Sequence, residues 1–274
     1  MTEGFSGSLI KGLKQPSSKN LVFTSAGDRS SIAHWLEGSH DFDLWVCYYG
    51  DGQTDYTSTA DYYVRRKGGK FPNLKFCFDT WRSIFSQYDA IMVADDDIII
   101  SGKELTGLFR VREEFDLYVM QPAFDLRGKI SHRITREQSF SRLRYTNFVE
   151  VTCPLFRADK LFEFLAVYDP DLVCWGVDWW FSEIVGKGTQ QRIAIVDEIS
   201  CVNPLDSSKG GREIDIVQND DQRIANWNRF KARLNLSAED AGFVTFGKVP
   251  AVPSLRMIIR AFKRAFFKRF LHAK

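Results

Sequence analysis

The chain has 274 residues, with 37 Lys and Arg against 35 Asp and Glu, a net charge of +2. Its 23 Phe, 9 Tyr and 7 Trp are enough for a sizeable core, which excludes a disordered or low-complexity chain and suits one large domain or two small ones. The charge is unevenly placed: residues 254–274 hold seven Lys and Arg and no acid, so a basic tail follows an acidic body.

Five cysteines (Cys47, Cys77, Cys153, Cys174 and Cys201) form no C-x-x-C pair, and the four histidines make no zinc spacing. Reduced thiols are expected, and with them a cytoplasmic setting. There is no secretory signal pattern at the start and no apolar run long enough to span a bilayer.

Residues 1–19 read as a loose lead-in. Residues 20–28 are a strand running into a Gly turn, 30–37 a helix, and 42–49 a strand closing on Gly50-Asp51-Gly52. A short strand is expected at 75–78 and a helix at 80–87. A buried strand then runs through Ile91-Met92-Val93 into Asp95-Asp96-Asp97. Beyond it come a helix at 103–114, a strand at 117–121 stopped by Pro122, and a basic stretch at 125–147, long enough for a lid or binding loop. A strand at 148–156, a helix at 158–167, a helix opened by 174–180 and a strand at 192–197 follow. Residues 203–213, rich in Gly and Ser, are expected to be mobile. This alternation predicts an α/β fold with a mostly parallel sheet flanked by helices.

Three consecutive carboxylates do not suit a packed core, because a buried charge without a partner costs several kcal/mol. Either Asp95–Asp97 is a solvated acidic turn, or Asp95 and Asp97 hold a hard divalent cation, Mg²⁺ or Mn²⁺, together with a diphosphate. Parallel strands carry their ligands at their carboxyl ends. Thr24, Ser25, Asp28, Asp51, Asp95 and Asp96 are therefore the residues expected to line a nucleotide. Neither a G-x-x-x-x-G-K-[ST] loop nor a G-x-G-x-x-G after a strand is present, which points to nucleotide-sugar chemistry.

Transfer of a sugar also needs a base for the acceptor hydroxyl. Asp178, in Trp175-Gly-Val-Asp-Trp-Trp180, fits that role: the rings of Trp175 and Trp179 are surfaces for sugars and desolvate the carboxylate. The alternative is an Asp at a helix start with core tryptophans. Glu150 either reaches a sugar hydroxyl or faces solvent. In residues 254–274, Leu255, Ile258, Ile259, Phe262, Phe266 and Phe270 recur at helical steps among basic residues. That is the composition of an in-plane anchor on an anionic membrane, or else of a helix docked on its own domain. Nucleic acid is not expected as a partner, because the apolar face would need another home.

From residue 43 to residue 204 the chain resembles a large plant and bacterial family catalogued as a domain of unknown function. Its plant members are labelled as related to lysine-ketoglutarate reductase trans-splicing. Tyr48-Tyr-Gly-Asp-Gly52, Ala94-Asp-Asp-Asp97, Gln121-Pro-Ala-Phe-Asp125, Phe148-Val-Glu-Val-Thr-Cys-Pro-Leu-Phe156, Trp175-Gly-Val-Asp178 and Ile193-Ala-Ile-Val-Asp197 match its pieces in order. The family in turn looks like the GT-A glycosyltransferases. That resemblance implies Asp95 and Asp97 for metal and nucleotide sugar, and Asp178 beside the acceptor. Where the family has a His, this chain has Asn203, which the resemblance makes a third, weaker metal ligand.

The expectation is a metal-dependent, inverting glycosyltransferase moving sugar from a nucleoside-diphosphate sugar to a glycan or lipid-linked acceptor. Its setting would be cell-surface polysaccharide or glycolipid synthesis at the inner membrane face. The alternative is a non-catalytic nucleotide- or glycan-binding relative. Residues 20–240 would form the transferase domain, divided into a nucleotide-sugar half (20–101) and an acceptor half (102–240). Residues 241–274 would be linker and anchor.

Overall fold

The computed structural model describes residues 7–209 and 218–252. In chain order the elements are β1 (Leu9–Lys11), β2 (Asn20–Ala26), α1 (Ile32–Trp35), β3 (Asp43–Tyr48), β4 (Tyr62–Arg65), α2 (Lys70–Thr80), α3 (Arg82–Phe85) and β5 (Ala90–Asp95). Then follow α4 (Gly102–Glu114), β6 (Val119–Phe124), β7 (Ser141–Thr146), β8 (Leu155–Arg157), α5 (Ala158–Val167) and α6 (Val177–Gly186). The chain continues through β9 (Ile193–Cys201), α7 (Asp206–Lys209), α8 (Asp220–Leu234) and β10 (Thr245–Pro250). All ten strands join one sheet in the order β1-β4-β3-β2-β5-β8-β6-β9-β7-β10.

Strand alternation splits the core into two layers. Leu21, Phe23, Trp45, Ile91 and Val93 face one side, against Leu74, Phe78, Phe85, Phe164 and Phe181 from α2, α3, α5 and α6. Val22, Leu44, Val46 and Met92 face the other, against Trp35, Leu105, Leu108 and Phe109 from α1 and α4. Period-2 burial on a sheet covered on both faces gives strands that are apolar throughout, as β2, β3 and β5 are.

The sheet is mixed, not mostly parallel as expected. β2, β3, β4 and β5 are mutually parallel, and β6 and β9 are parallel to each other. The pairs β1–β4, β5–β8, β6–β8, β7–β9 and β7–β10 are antiparallel. The reversed strand β8 matters most. It lies between β5 and β6, so its start sits at the carboxyl end of β5.

Other expectations change as well. The strand expected at 75–78 lies inside α2, where Phe71, Leu74, Cys77 and Phe78 are buried at helical steps. Pro72 sits in the first turn, where a missing N–H is tolerated. β4 supplies the third strand instead. Leu9–Lys11 of the lead-in pairs with β4, and residues 245–250, expected in a linker, pair with β7. Pro122 does not stop β6; the ladder shifts register just after it. Of residues 148–156, only the end is strand.

The basic stretch at 125–147 is pinned rather than free. Arg144, on β7, pairs in the core with Asp197 of β9 through Nε at 2.9 Å and Nη2 at 3.0 Å. Its guanidinium also donates to the carbonyls of Ile134 (2.7 Å) and Arg136 (2.9 Å), while Asp197 accepts from the Gln138 N–H at 2.8 Å. Four of the five Arg144 N–H groups are thus engaged within the protein, and the side chain is 2% exposed. Arg142 is likewise engaged, with Glu114 and Glu198.

Among the described residues no helix is long and apolar enough to cross a membrane. The amphipathic segment at 254–274 and residues 210–213 of the Gly/Ser-rich stretch lie outside the described residues.

Removing one partner of a buried pair leaves the other charged and unsolvated. Arg144→Ala should therefore lower unfolding stability by about 3–5 kcal/mol, read as a drop in the urea midpoint at constant slope.

Candidate functional site

The carboxyl ends of β2, β3, β4 and β5 lie along one edge because these strands are parallel. Register places Ser25 beside Asp95. The acidic tip is held from several directions. The Asp95 N–H donates to the Thr152 carbonyl at 2.8 Å, and the Asp96 carbonyl accepts from the Ser31 N–H. The Asp96 carboxylate accepts from the Gly27 N–H at 2.9 Å, tying the tip to the loop after β2. The Asp97 carbonyl accepts from the Ser31 hydroxyl at 3.0 Å.

Asp95 is ion-paired with Lys70, Nζ to carboxylate 2.7 Å. The same ammonium donates to the carbonyls of Val151 (2.6 Å) and Thr152 (2.9 Å). Lys70 opens α2, after Gly69 in an extended conformation. Three residues on, buried Asn73 donates to the Ser25 hydroxyl at 3.0 Å and the Gly68 carbonyl at 3.0 Å. Neither residue belongs to a motif, so sequence reading missed both; Pro72, a helix-start residue, was the available pointer.

The segment 150–152 connects this tip to Asp178. The Val151 N–H and the Trp179 N–H both donate to the Asp178 carboxylate, the latter at 3.0 Å. Asp178 is buried in the first turn of α6. Burial pushes its pKa from the usual carboxylate value up to about 7, against the pull of those N–H groups. Glu150 is also buried, 5% exposed, rather than facing solvent. Its N–H donates to the Gln121 side chain, and Thr152 Oγ1 donates to its Oε1 at 2.9 Å. Burial raises Glu150 to about 7, the Thr152 hydroxyl works against that rise, and the negative charges of Asp178 and Asp95 add to it. Burial also raises the Cys174 thiol, and the charges of Asp95 and Asp178 raise it further.

α6 begins where it does because of Gly176. Its φ of +89° is left-handed, and a Cβ there would lie 2.1 Å from the Trp227 ring of α8. Trp227 is itself tied to Glu239 at 2.9 Å.

The remaining expected residues are placed as follows. Thr24 is fully buried, its hydroxyl turned to the Ser25 carbonyl at 3.3 Å, and it lines no crevice. Asp28 lies on the edge but accepts from the Tyr48 hydroxyl and, at 3.0 Å, from the Gly52 N–H. The Tyr48 bond draws the Asp28 pKa down, and burial with Asp28 beside it pushes Tyr48 up to about 12. Asp51 is exposed and paired with Lys67 at 2.6 Å. Trp175 is 43% exposed. Trp179 is buried beneath Phe243, ring centroids 5.2 Å apart and 24° from parallel. An antiparallel bridge of Ile99 with Val202 sets Asn203 opposite Ile98, one residue from Asp97.

Among the described residues, no three His, Cys, Asp or Glu side chains are arranged to hold a metal ion. Asp95 is ion-paired with Lys70, and Asp96 accepts from the Gly27 N–H.

No family model matches the chain, and no curated protein matches it in sequence. The motif resemblance to the domain-of-unknown-function family thus has no family model behind it. Among solved structures, the chain is similar to S. aureus TarS, 11% identical over 68% of this chain and 37% of that chain, TM-score 0.47. It is similar to S. aureus TarS 1–349 in complex with UDP-GlcNAc, 12% identical over 68% and 58%, TM-score 0.44. It is also similar to A197 from STIV, 12% identical over 66% and 83%, TM-score 0.38. The chain spans 37% to 61% of the length of the TarS chains. The class that the fold defines is α/β, a large mixed sheet flanked by helices.

Two buried carboxylates beside one another titrate as a pair. If Asp178 must be ionised to act, activity should rise with pH through about 7. Glu150→Gln removes a like charge and should move that rise to lower pH, measured as donor consumption against pH.

Proposed function

We propose that the chain is a nucleotide-sugar glycosyltransferase in which Asp178 deprotonates the acceptor hydroxyl. One observation carries the reading. A buried carboxylate that titrates near neutrality is hydrogen-bonded to Val151, in the segment whose carbonyls hold Lys70 against the acidic tip. A general base works best with its pKa near the operating pH, and burial brings Asp178 into that range.

In this reading the nucleoside diphosphate lies over the edge formed by Ser25, Gly27 and the loop at residues 50–52, with its phosphates toward the tip. Small residues there let a ligand approach the backbone. The acceptor hydroxyl gives its proton to Asp178 and bonds to the anomeric carbon. The bond from that carbon to the diphosphate oxygen breaks on the opposite face, so the configuration inverts. Mg²⁺ or Mn²⁺, for which Asp95, Asp97 and Asn203 are the candidate ligands, would offset charge on the departing diphosphate. The acceptor is a glycan or lipid-linked glycan. The basic segment 254–274 would lay the enzyme on an anionic membrane face where such acceptors gather.

The test is a panel of UDP-, GDP- and dTDP-sugars, with and without Mn²⁺, scored by thermal stabilisation and by nucleoside diphosphate release. One donor should stabilise the protein and be consumed. Asp178→Asn should reduce turnover about 10²–10⁴-fold, the range for loss of a general base, while donor stabilisation persists. Unchanged turnover would refute Asp178 as the base. Stabilisation without consumption would favour a non-catalytic binding protein. Deleting residues 254–274 should abolish co-sedimentation with anionic vesicles; equal pelleting of both forms rules the anchor out.

A further inference from the structure

The two carboxylates stand beside a block of four rings. Phe148 lies 4.6 Å from Trp179, and His132 lies 5.2 Å from Phe148. Phe243 touches all three, at 5.2 Å from Trp179, 5.0 Å from Phe148 and 5.1 Å from His132. Phe148 and Trp179 are buried, whereas Phe243 is 45% exposed. The block adjoins the chemistry through its own backbone: Trp179 follows Asp178 and donates to it, and Phe148 is two residues before Glu150.

Phe243 is held in place. Asn147, at the end of β7, donates through Nδ2 to the Gly242 carbonyl at 2.7 Å and accepts on Oδ1 from the Val244 N–H at 2.8 Å. Its N–H also donates to the Val244 carbonyl at 3.2 Å. The backbone on both sides of Phe243 is therefore anchored, and β10 continues the sheet immediately beyond. A large apolar ring left exposed on a fixed backbone, at the edge of a polar site, is the kind of feature that marks a binding surface.

We infer that Phe243 is the platform on which the acceptor's sugar ring stacks, presenting its hydroxyl rim to Glu150 and Asp178. This rests on the transferase reading for the direction of the chemistry, but not for the binding itself. The ligand class follows from what lies together. A pyranose has an apolar C–H face and a rim of hydroxyls, matching one aromatic face next to two carboxylate acceptors. A purely apolar ligand would leave Glu150 Oε2, a buried oxygen with no hydrogen-bond partner among the described residues, unsatisfied. A quaternary ammonium prefers several ring faces around it, and here the rings cover one another, so that Phe243 alone among the four is prominently exposed.

The test uses the full chain and the methyl glycosides of glucose, galactose and N-acetylglucosamine, with choline as the cationic control. Binding is read from tryptophan emission, since Trp179 lies directly under Phe243. At least one glycoside should perturb the wild-type emission. Phe243→Tyr should keep that response, and Phe243→Leu, which still covers Trp179 but has no π face, should weaken it about three- to tenfold. Stabilisation by nucleoside diphosphates should be the same in all three proteins, and so should the Tm without ligand. No wild-type response to any glycoside, a full response in Phe243→Leu, or a response to choline alone would overturn the platform. Glycoside binding lost in Phe243→Leu in a protein that no nucleoside diphosphate stabilises would support the platform while retiring the transferase reading.

Discussion

The site depends on one buried ammonium. A lysine has three N–H groups to place, and Lys70 places them on the Val151 carbonyl, the Thr152 carbonyl and the Asp95 carboxylate. Its side chain is 9% exposed, so these three bonds replace its water. A cation so placed joins two pieces of chain that sequence keeps far apart: the tip of β5 and the turn before β8. It also supplies the charge that lets a carboxylate point into a partly desolvated edge. What reads from composition as a cation site is already partly neutralised from within.

The consequence is a division of labour among four carboxylates. Asp95 has a fixed positive partner and Asp96 a fixed backbone donor. Asp178 and Glu150, one segment away, have N–H and hydroxyl donors, and burial raises both to about 7. Environment, not residue type, separates the ion-paired Asp95 from these two buried carboxylates. The reversed strand β8 makes this possible. Only a strand running against β5 and β6 can begin at their carboxyl ends, and so deliver Glu150, Val151 and Thr152 there.

The returning C-terminal chain closes the other side. α8 sets Trp227 against Gly176, at the start of the helix that carries Asp178. Beyond it, β10 pairs with β7, and the chain leading into β10 sets Phe243 over Trp179. Segments that look peripheral in the sequence thus supply one wall of the region around Asp178.

The parts legible in the sequence were those governed by local pattern. Apolar runs ending in Gly or Asp marked β2, β3 and β5 and the edge they share, and the periodicity of residues 103–114 and 158–167 marked α4 and α5. The tryptophans around Asp178 suggested a desolvated carboxylate; Asp178 is buried in the first turn of α6, whereas Trp175 is 43% exposed. Pairings between distant residues left no such trace. Lys70 has no motif, Arg144 and Asp197 are 53 positions apart, and the direction of a three-residue strand such as β8 is set by its neighbours rather than its own side chains. Short elements carry too little periodicity to choose between helix and strand, which is why residues 75–78 misled. Sequence by itself determined which groups can carry charge and where chain direction changes. Tertiary structure decided which charges meet, because desolvation and ion pairing are properties of surroundings that only folding assembles.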